Sequence, residues 1–522
     1  MKKYLTPIGD LYDSFDNKDF YKLPTDLQAY LFNILQLEEV MLEKENLKKN
    51  FAFQFLYQIV VLVIPMILSP YLTRTLQETS LGIYSYVYSI AYYFVVVANL
   101  GISRHGQRII AQSRDDHKKL RKAFWSLFTF HAVFSLIVMI AYFAFIVFFV
   151  KSDKTVYLIQ SLFVLSALFD ITWLFYGLEN FKSVVIRNLI IKMFQCICIF
   201  LFIHKPSDLN VYTLITSGSI LAGQVVMIPQ AVKTVRPIKF EMKDILFHTR
   251  PMFVFAIAVI ASILYTTFDM TLLGLMTNKE NVAFYNYSNQ IISIPNTIIG
   301  VIGTVMFPKA CRMAAEGNLD EQKKYINYSI IFTAIISMGS IFGLLAISDL
   351  FAIVYYGEAF AVCGNIMKAL SPIVYIIGMG NIVRTQYMIP NEMDKEYIIC
   401  IICNAIINLV LSTLLIPILG IYGAVIGTLS AEFFGLVYQL VLCRKFIKIA
   451  DIVKMSVPFA VIGILMYVCI NIVSKVYSNS IMALVIQVLV GLAVFIVLTV
   501  VYIFKSNQEL KVQLLNMLKL NK

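Results

Sequence analysis

Charge is what this chain has least of. Asp, Glu, Lys and Arg make up only 14% of its 522 residues, against roughly a quarter in ordinary soluble proteins. That deficit excludes a water-soluble enzyme, because too few polar side chains exist to cover the surface. Cysteine is sparse, at eight, and gives no disulfide framework. Cys196 with Cys198, and Cys400 with Cys403, have ligand-like spacings but lie in apolar runs. There a cysteine packs as a small hydrophobe. No phosphate-cradling glycine loop, zinc-ligand run or nucleophile elbow is present, so no cofactor or metal is expected. No polar stretch between apolar runs is long enough for a catalytic domain. A cleavable signal peptide is not expected either, since residues 1–49 carry nine acidic and seven basic side chains.

What is abundant is apolar length. Hydrophobic residues reach 59% and the mean hydropathy is +0.78. A membrane helix needs about twenty apolar residues at 1.5 Å each. Runs that qualify fall near 50–72, 82–103, 123–150, 155–178, 184–203, 209–230, 251–276, 282–308, 325–347, 361–386, 396–416, 421–442, 455–474 and 481–504. The expected fold is an all-α integral membrane protein of about fourteen spans. The span at 361–386 is the weakest, because it contains Lys368 and Arg384. Ahead of the first span, Leu23-Pro24-Thr25-Asp26 reads as a helix start and 27–49 as an amphipathic helix.

The net charge of +12 is unevenly placed. Loops after even-numbered spans hold twenty-four Lys and Arg, including Arg104, Arg108, Lys118, Lys119, Lys233 and Arg236, against six in the other loops. This is the positive-inside bias of a membrane protein, not a nucleic-acid footprint, and no nucleic-acid partner is expected. It puts both termini and every even loop in the cytoplasm.

A weak internal repeat runs through the chain. Leu81-Gly82-Ile83-Tyr84-Ser85-Tyr86 follows the first span and Val282-Ala283-Phe284-Tyr285-Asn286-Tyr287 the seventh. Glu179-x-x-Lys182 follows the fourth span, and Glu392-x-x-Lys395 the tenth. An offset of six helices in both cases implies two parallel six-helix lobes, 50–230 and 251–442. A basic linker at 231–250 joins them, a C-terminal helix pair occupies 455–504, and a tail follows at 505–522. Such parallel repeats are a transporter design.

Ionisable residues inside spans are functional candidates by default. Here they are Asp170, Lys192, Asp269, Lys368, Arg384 and Glu432. Asp170 and Asp269, with Lys368, are candidates for a coupling-ion site or a cavity charge; an interhelical hydrogen bond explains the acids equally well. Tyr84, Tyr86, Tyr88, Tyr92 and Tyr93 crowd the second span. An interfacial aromatic belt is the favoured reading, and a surface for stacking sugars the alternative. Pro65, Pro70, Pro295 and Pro372 are candidate hinges or static kinks.

Several segments resemble one family, the polysaccharide-exporter branch of the multidrug/oligosaccharidyl-lipid/polysaccharide flippase superfamily. They are Phe53-Gln54-Phe55-Leu56-Tyr57-Gln58 with Ser69-Pro70-Tyr71-Leu72-Thr73-Arg74, then Asn99-Leu100-Gly101-Ile102 with Gly106-Gln107-Arg108. Trp173-Leu174-Phe175-Tyr176-Gly177 and Gly303-Thr304-Val305-Met306-Phe307-Pro308 continue the series. Asn404, Asn408 and Gly420-Ile421-Tyr422-Gly423-Ala424 close it. The resemblance implies a flippase, not an enzyme, in the inner membrane. It would carry undecaprenyl-diphosphate-linked oligosaccharide between leaflets for surface polysaccharide synthesis. The implied partners are that lipid, the surrounding membrane lipids and other polysaccharide-assembly proteins. Arginine grips phosphate in a two-pronged geometry, so Arg74, Arg104 and Arg384 are the candidates for the diphosphate. The competing readings are a cation-coupled multidrug exporter, a peptidoglycan-precursor flippase, and a membrane-embedded glycan polymerase or ligase.

Overall fold

The structure, a computed structural model, describes residues 60–99, 101–476 and 480–506, with backbone alone for 253–266, 476 and 506. The amphipathic helix expected at 27–49, the start of the first span and the tail beyond 506 lie outside the described residues. The long helices are α1 (Val60–Thr75), α2 (Gln77–Asn99), α3 (His117–Phe149), α4 (Lys154–Leu168), α5 (Phe181–Phe202), α6 (Leu209–Val225) and α7 (Thr249–Met276). They continue with α8 (Lys279–Ala315), α9 (Leu319–Phe351), α10 (Val362–Leu370 and Ile373–Val383), α11 (Asp394–Leu419), α12 (Ile421–Leu442), α13 (Ile449–Val476) and α14 (Ile481–Ser506).

Among the described residues, eleven helices are long and apolar enough to cross a membrane, or twelve with the two pieces of α10 joined. The described part of α1 is a shorter apolar helix. The outward faces are apolar where a soluble protein would be polar: Phe148 is 78% exposed and Ile418 77%. Such faces suit hydrocarbon and not water.

Two spans are bent or broken within the apolar zone. The span around α10 is bent by 44° at Ser371-Pro372, where the proline ring removes a backbone donor. Lys368 just before the bend is ion-paired with Asp349 of α9. α4 stops at Leu168, and Asp170 starts a separate short helix, Thr172–Gly177. Its carboxylate accepts from the backbone N–H of Thr172 at 3.0 Å and from its hydroxyl at 2.6 Å.

Loop contacts sort the turns into two ends. At the basic end, Arg121 donates to the carbonyls of Arg236 and Pro237, both at 2.7 Å, and Arg114 meets Glu179 at 2.7 Å. These join the loops after α2, α4 and α6. His105 Nε2 lies 3.0 Å from His248 Nδ1, whose other nitrogen is 3.0 Å from Ser126 Oγ. At the opposite end Ser80 donates to the Pro206 carbonyl at 3.2 Å. Arg74 there donates to the carbonyls of Val354 and Tyr355 at 2.6 and 2.8 Å.

The repeat has a physical counterpart. Leu178, Glu179 and Asn180 donate backbone N–H groups to Leu174, Tyr176 and Phe175. Asn391, Glu392 and Met393 do the same to Tyr387, Ile389 and Met388. Glu179 and Glu392 both sit at φ 59°, a left-handed conformation unusual for glutamate. Where α2 meets α8, equivalent positions of the repeat touch one another. Thr79 donates to Glu280 at 2.7 Å and Asn286 to Ser85 at 3.2 Å, each pair 201 residues apart.

The α2–α8 crossing depends on Gly82. A Cβ there would lie 1.9 Å from the Lys279 carbonyl oxygen. Gly82→Val is therefore expected to prise the helices apart and raise several-fold the labelling of a cysteine placed at Ser85 by an impermeant maleimide, with exposed native cysteines replaced. Unchanged labelling would refute this role of Gly82. Burial also pushes His248 down to about 4 from its ordinary 6.5, opposed by the nearby Asp244 carboxylate. The folded value is the lower one, so between those limits the unfolded chain binds more protons. Thermal stability in detergent is expected to fall as pH drops from 6.5 toward 4, with a shallower fall in His248→Asn.

Candidate functional site

Polar side chains gather at several places within the bundle. The first surrounds Asp269 near the end of α7, whose carboxylate is 3% exposed. Tyr285 of α8 donates to it at 3.0 Å, Ser412 of α11 at 3.0 Å and Thr428 of α12 at 2.5 Å. The Asn408 amide completes the shell at 3.3 and 3.4 Å. α11 supplies its share because Asn404, Asn408 and Ser412 recur every four residues along one buried face. Four helices thus converge on one acid. Hydrogen bonds of this kind satisfy the carboxyl oxygens, which hydrocarbon alone would leave without partners.

The second is a cavity of about 380 Å³ enclosed by α1, α2, α5, α6, α7 and α8. Tyr84, Tyr88 and Tyr92 line it from α2 and Tyr212 from α6. The three α2 tyrosines succeed each other every four residues, one face of a helix. Their rings stack at 6.0 Å between successive centroids. Tyr212 meets Tyr84 edge-on at 4.7 Å. Gln195, Asn286, Gln290, Ser69 and Ser85 add amides and hydroxyls. Lys192, the twelfth of the twenty-two residues of α5, brings the one cation among the described lining residues, and no carboxylate lines the wall.

The sequence candidates do not assemble in one place. Arg74 lies at the non-basic end and holds three carbonyls, those of Val354, Tyr355 and Pro70. Arg104 is exposed at the basic end. Arg384 lines a separate pocket of about 210 Å³ between α10, α11 and α12, with Glu432, Asn404 and Gln439. Its guanidinium donates to Asn381 at 2.9 Å and lies 5.5 Å from the Tyr397 ring. Asp170 caps the short helix after α4, and Lys368 is paired with Asp349. Asp269 alone of the six enters a multi-helix network. Sequence reasoning noted Lys192 without choosing it, read Tyr285 only as part of the repeat, and left Ser412 and Thr428 unremarked. The four-residue recurrence of polar residues on α11 was the available signal. The tyrosines divide by face: Tyr84, Tyr88 and Tyr92 line the cavity, while Tyr86 stacks under the Lys279 ammonium at 3.2 Å and Tyr93 bonds Thr271 at 3.1 Å.

A bundle of membrane-length helices around an internal polar cavity defines a multi-pass membrane transporter. A family model described as "Polysaccharide biosynthesis protein" matches residues 47–314, just over half the chain. The chain belongs to that family, within the multidrug/oligosaccharidyl-lipid/polysaccharide flippase superfamily, and is a transporter, not an enzyme. It is 25% identical over 297 residues to a "Putative O-antigen transporter" of Shigella dysenteriae, covering 56% of this chain and 74% of the relative. A protein of the same description from Escherichia coli (strain K12) is 21% identical over 395 residues, covering 74% and 94%. In fold the chain is similar to "Lipid II flippase MurJ, inward closed conformation", with TM-score 0.72 and 15% identity, over 87% of this chain and 99% of that one. A "multidrug resistance MATE family transporter of the MOP superfamily" in an inward-facing conformation matches with TM-score 0.57 and 13% identity, over 77% and 96%.

Removing the Asp269 carboxylate would take away the hydrogen-bond partner of Ser412 and leave Tyr285, Asn408 and Thr428 with one another; a buried donor left unpaired costs about 1–3 kcal/mol. Asp269→Ala is expected to destabilise the protein by roughly 2–4 kcal/mol, read as a lowered melting temperature in detergent. Asp269→Asn, which keeps the shape, should lose less. Equal losses would mean that charge, not hydrogen bonding, stabilises the network.

Proposed function

We propose that this transporter moves an undecaprenyl-diphosphate-linked oligosaccharide from the cytoplasmic to the outer leaflet of the inner membrane. The observation that carries the reading is the cavity between α1, α2, α5 and α6 of the first repeat and α7 and α8 of the second. Its tyrosines, amides and single ammonium suit a glycan and an anion, and the relatives described as O-antigen transporters point the same way. The positive-inside bias makes the basic end cytoplasmic. Both termini then lie in the cytoplasm, with 1–49 and 505–522. Residues 50–230 and 251–442 act as two six-helix lobes joined by 231–250, with 455–504 as an added pair.

In this arrangement the two lobes rock about the α2–α8 crossing. The outer end is shut by Gly82 against Lys279 and by Arg74 on the carbonyls of Val354 and Tyr355. Arg104 at the cytoplasmic rim meets the diphosphate first. Glycan and diphosphate enter the cavity while the prenyl tail stays in lipid, because burying the sugar in hydrocarbon would cost several kcal/mol per unpaired polar group. Opening outward breaks the Arg74 bonds, worth about 1.5–3 kcal/mol each as charged hydrogen bonds, and frees that guanidinium for the departing diphosphate. Asp269 couples the step to a cation or proton through its four-helix shell. Arg384 serves the diphosphate in a second position beside α11, Lys368 holds α10 to α9, and Asp170 fixes the turn after α4.

The test is flipping in vesicles of phosphatidylethanolamine and phosphatidylglycerol. Wild-type protein is expected to expose a fluorescent lipid-linked oligosaccharide to an external glycosidase at least ten times faster than empty vesicles. Asp269→Asn should reduce the rate ten-fold or more. A wild-type rate equal to that of empty vesicles would end the proposal.

A further inference from the structure

The C-terminal helix pair packs closely on α9 in mid-bundle and parts from it toward the basic end. A Cβ on Gly339 of α9 would lie 3.0 Å from the Phe495 ring of α14. One on Gly463 of α13 would lie 2.2 Å from the Phe342 ring of α9. There the glycines make room for aromatic rings, and the seam is filled. Lys323 precedes Gly339 on α9 by about 24 Å along the helix, at 1.5 Å per residue. At that level α9, α13 and α14 leave a cavity of about 510 Å³.

Its walls change character with depth. Lys323 and Asn327 line it from the early turns of α9, and Asp451 and Lys454 from those of α13. About one turn further in the lining becomes Ile331 and Phe459, both buried, and Ile503 adds to this apolar floor from α14. Phe459 is held edge-on against Tyr502 at 5.6 Å. None of Lys323, Asp451 and Lys454 has an ion-pair partner among the described residues. Two ammoniums and one carboxylate leave the rim with a single positive charge. An inorganic anion would neutralise it and leave the apolar floor against water. A zwitterionic lipid would cover the floor and leave the charge uncompensated. A phospholipid of one net negative charge does both, and basic pockets between helices at the cytoplasmic face are where anionic headgroups bind.

We propose that this cavity is a site for phosphatidylglycerol. The phosphate lies between the Lys323 and Lys454 ammoniums. The headgroup glycerol hydroxyls donate to the Asp451 carboxylate and the Asn327 side-chain oxygen, and an acyl chain covers Ile331 and Phe459. The lipid bridges α9 and α13 where direct packing gives out, and so fastens the added helix pair to the second repeat. The site does not depend on what the transporter carries. It shares no lining residue with the tyrosine-lined cavity.

Native mass spectrometry of the purified full-length protein tests this with three probes: phosphatidylglycerol, phosphatidylethanolamine and undecaprenyl diphosphate. Wild type is expected to retain one phosphatidylglycerol about five-fold more tightly than phosphatidylethanolamine. Lys323→Gln and Lys454→Gln should each weaken phosphatidylglycerol about five-fold, and the double variant should lose the preference. Lys454→Arg, which keeps the charge and grips phosphate, should retain it. Lys233→Gln with Lys239→Gln, at the basic end but outside the cavity, should change nothing. Added phosphatidylglycerol should raise the melting temperature of wild type and not of the double lysine variant, while the two melt alike without lipid. Equal retention of the two phospholipids by wild type overturns the site, as does undiminished phosphatidylglycerol in the double variant. An equal loss in Lys233→Gln with Lys239→Gln would mean that headgroups answer to the basic end as a whole, and the cavity would lose its role. Tighter retention of undecaprenyl diphosphate than of phosphatidylglycerol, through the same two lysines, would assign the cavity to the transported lipid and end the proposal.

Discussion

A polar group in hydrocarbon needs a partner, and this requirement shapes the interior of the molecule. Asp269 gathers donors from α8, α11 and α12 and so ties four helices together. Lys368 fixes α10 to α9 through Asp349. Helix association in lipid has no hydrophobic drive of its own, because lipid tails are as apolar as leucine. Close packing and hydrogen bonds between helices supply what burial supplies in water. The α2–α8 crossing shows both: Gly82 lets the backbones touch, and Thr79–Glu280 and Ser85–Asn286 bond across it.

The same requirement separates structural from functional charge. A guanidinium that holds three carbonyls, as Arg74 does, is part of the architecture in this state. Its bonds join α1 to the segment after α9, so they have to break whenever these parts separate. A closed end held by such bonds is stable yet reversible, since each is worth only a few kcal/mol. The bend at Pro372 and the break at Asp170 add places where helices already lack ladder hydrogen bonds, and there motion costs least.

Much of the fold was legible in the residues. Apolar runs gave the helices, although the run at 361–386 turned out as two bent pieces and that at 155–178 as a helix broken before Asp170. The paired motifs Glu179-x-x-Lys182 and Glu392-x-x-Lys395 read in sequence as a weak repeat, and both fold into the same left-handed turn with the same three hydrogen bonds. The site was less legible. Arg74, Arg104 and Arg384 share a chemistry but occupy the two ends and a separate pocket. Tyrosines read together as one belt face three directions.

The sequence by itself determined that the chain is a multi-pass bundle of apolar helices, and it carried the alternation of basic and non-basic loops and the weak repeat. Each is a local property, set by transfer energy per residue and by charge near helix ends. Tertiary structure alone decided which polar residues meet. A helix that is apolar all round gives no periodic signal for the face turned to protein and the face turned to lipid. Only packing fixes its rotation, and with it the company that Asp269 and Lys192 keep.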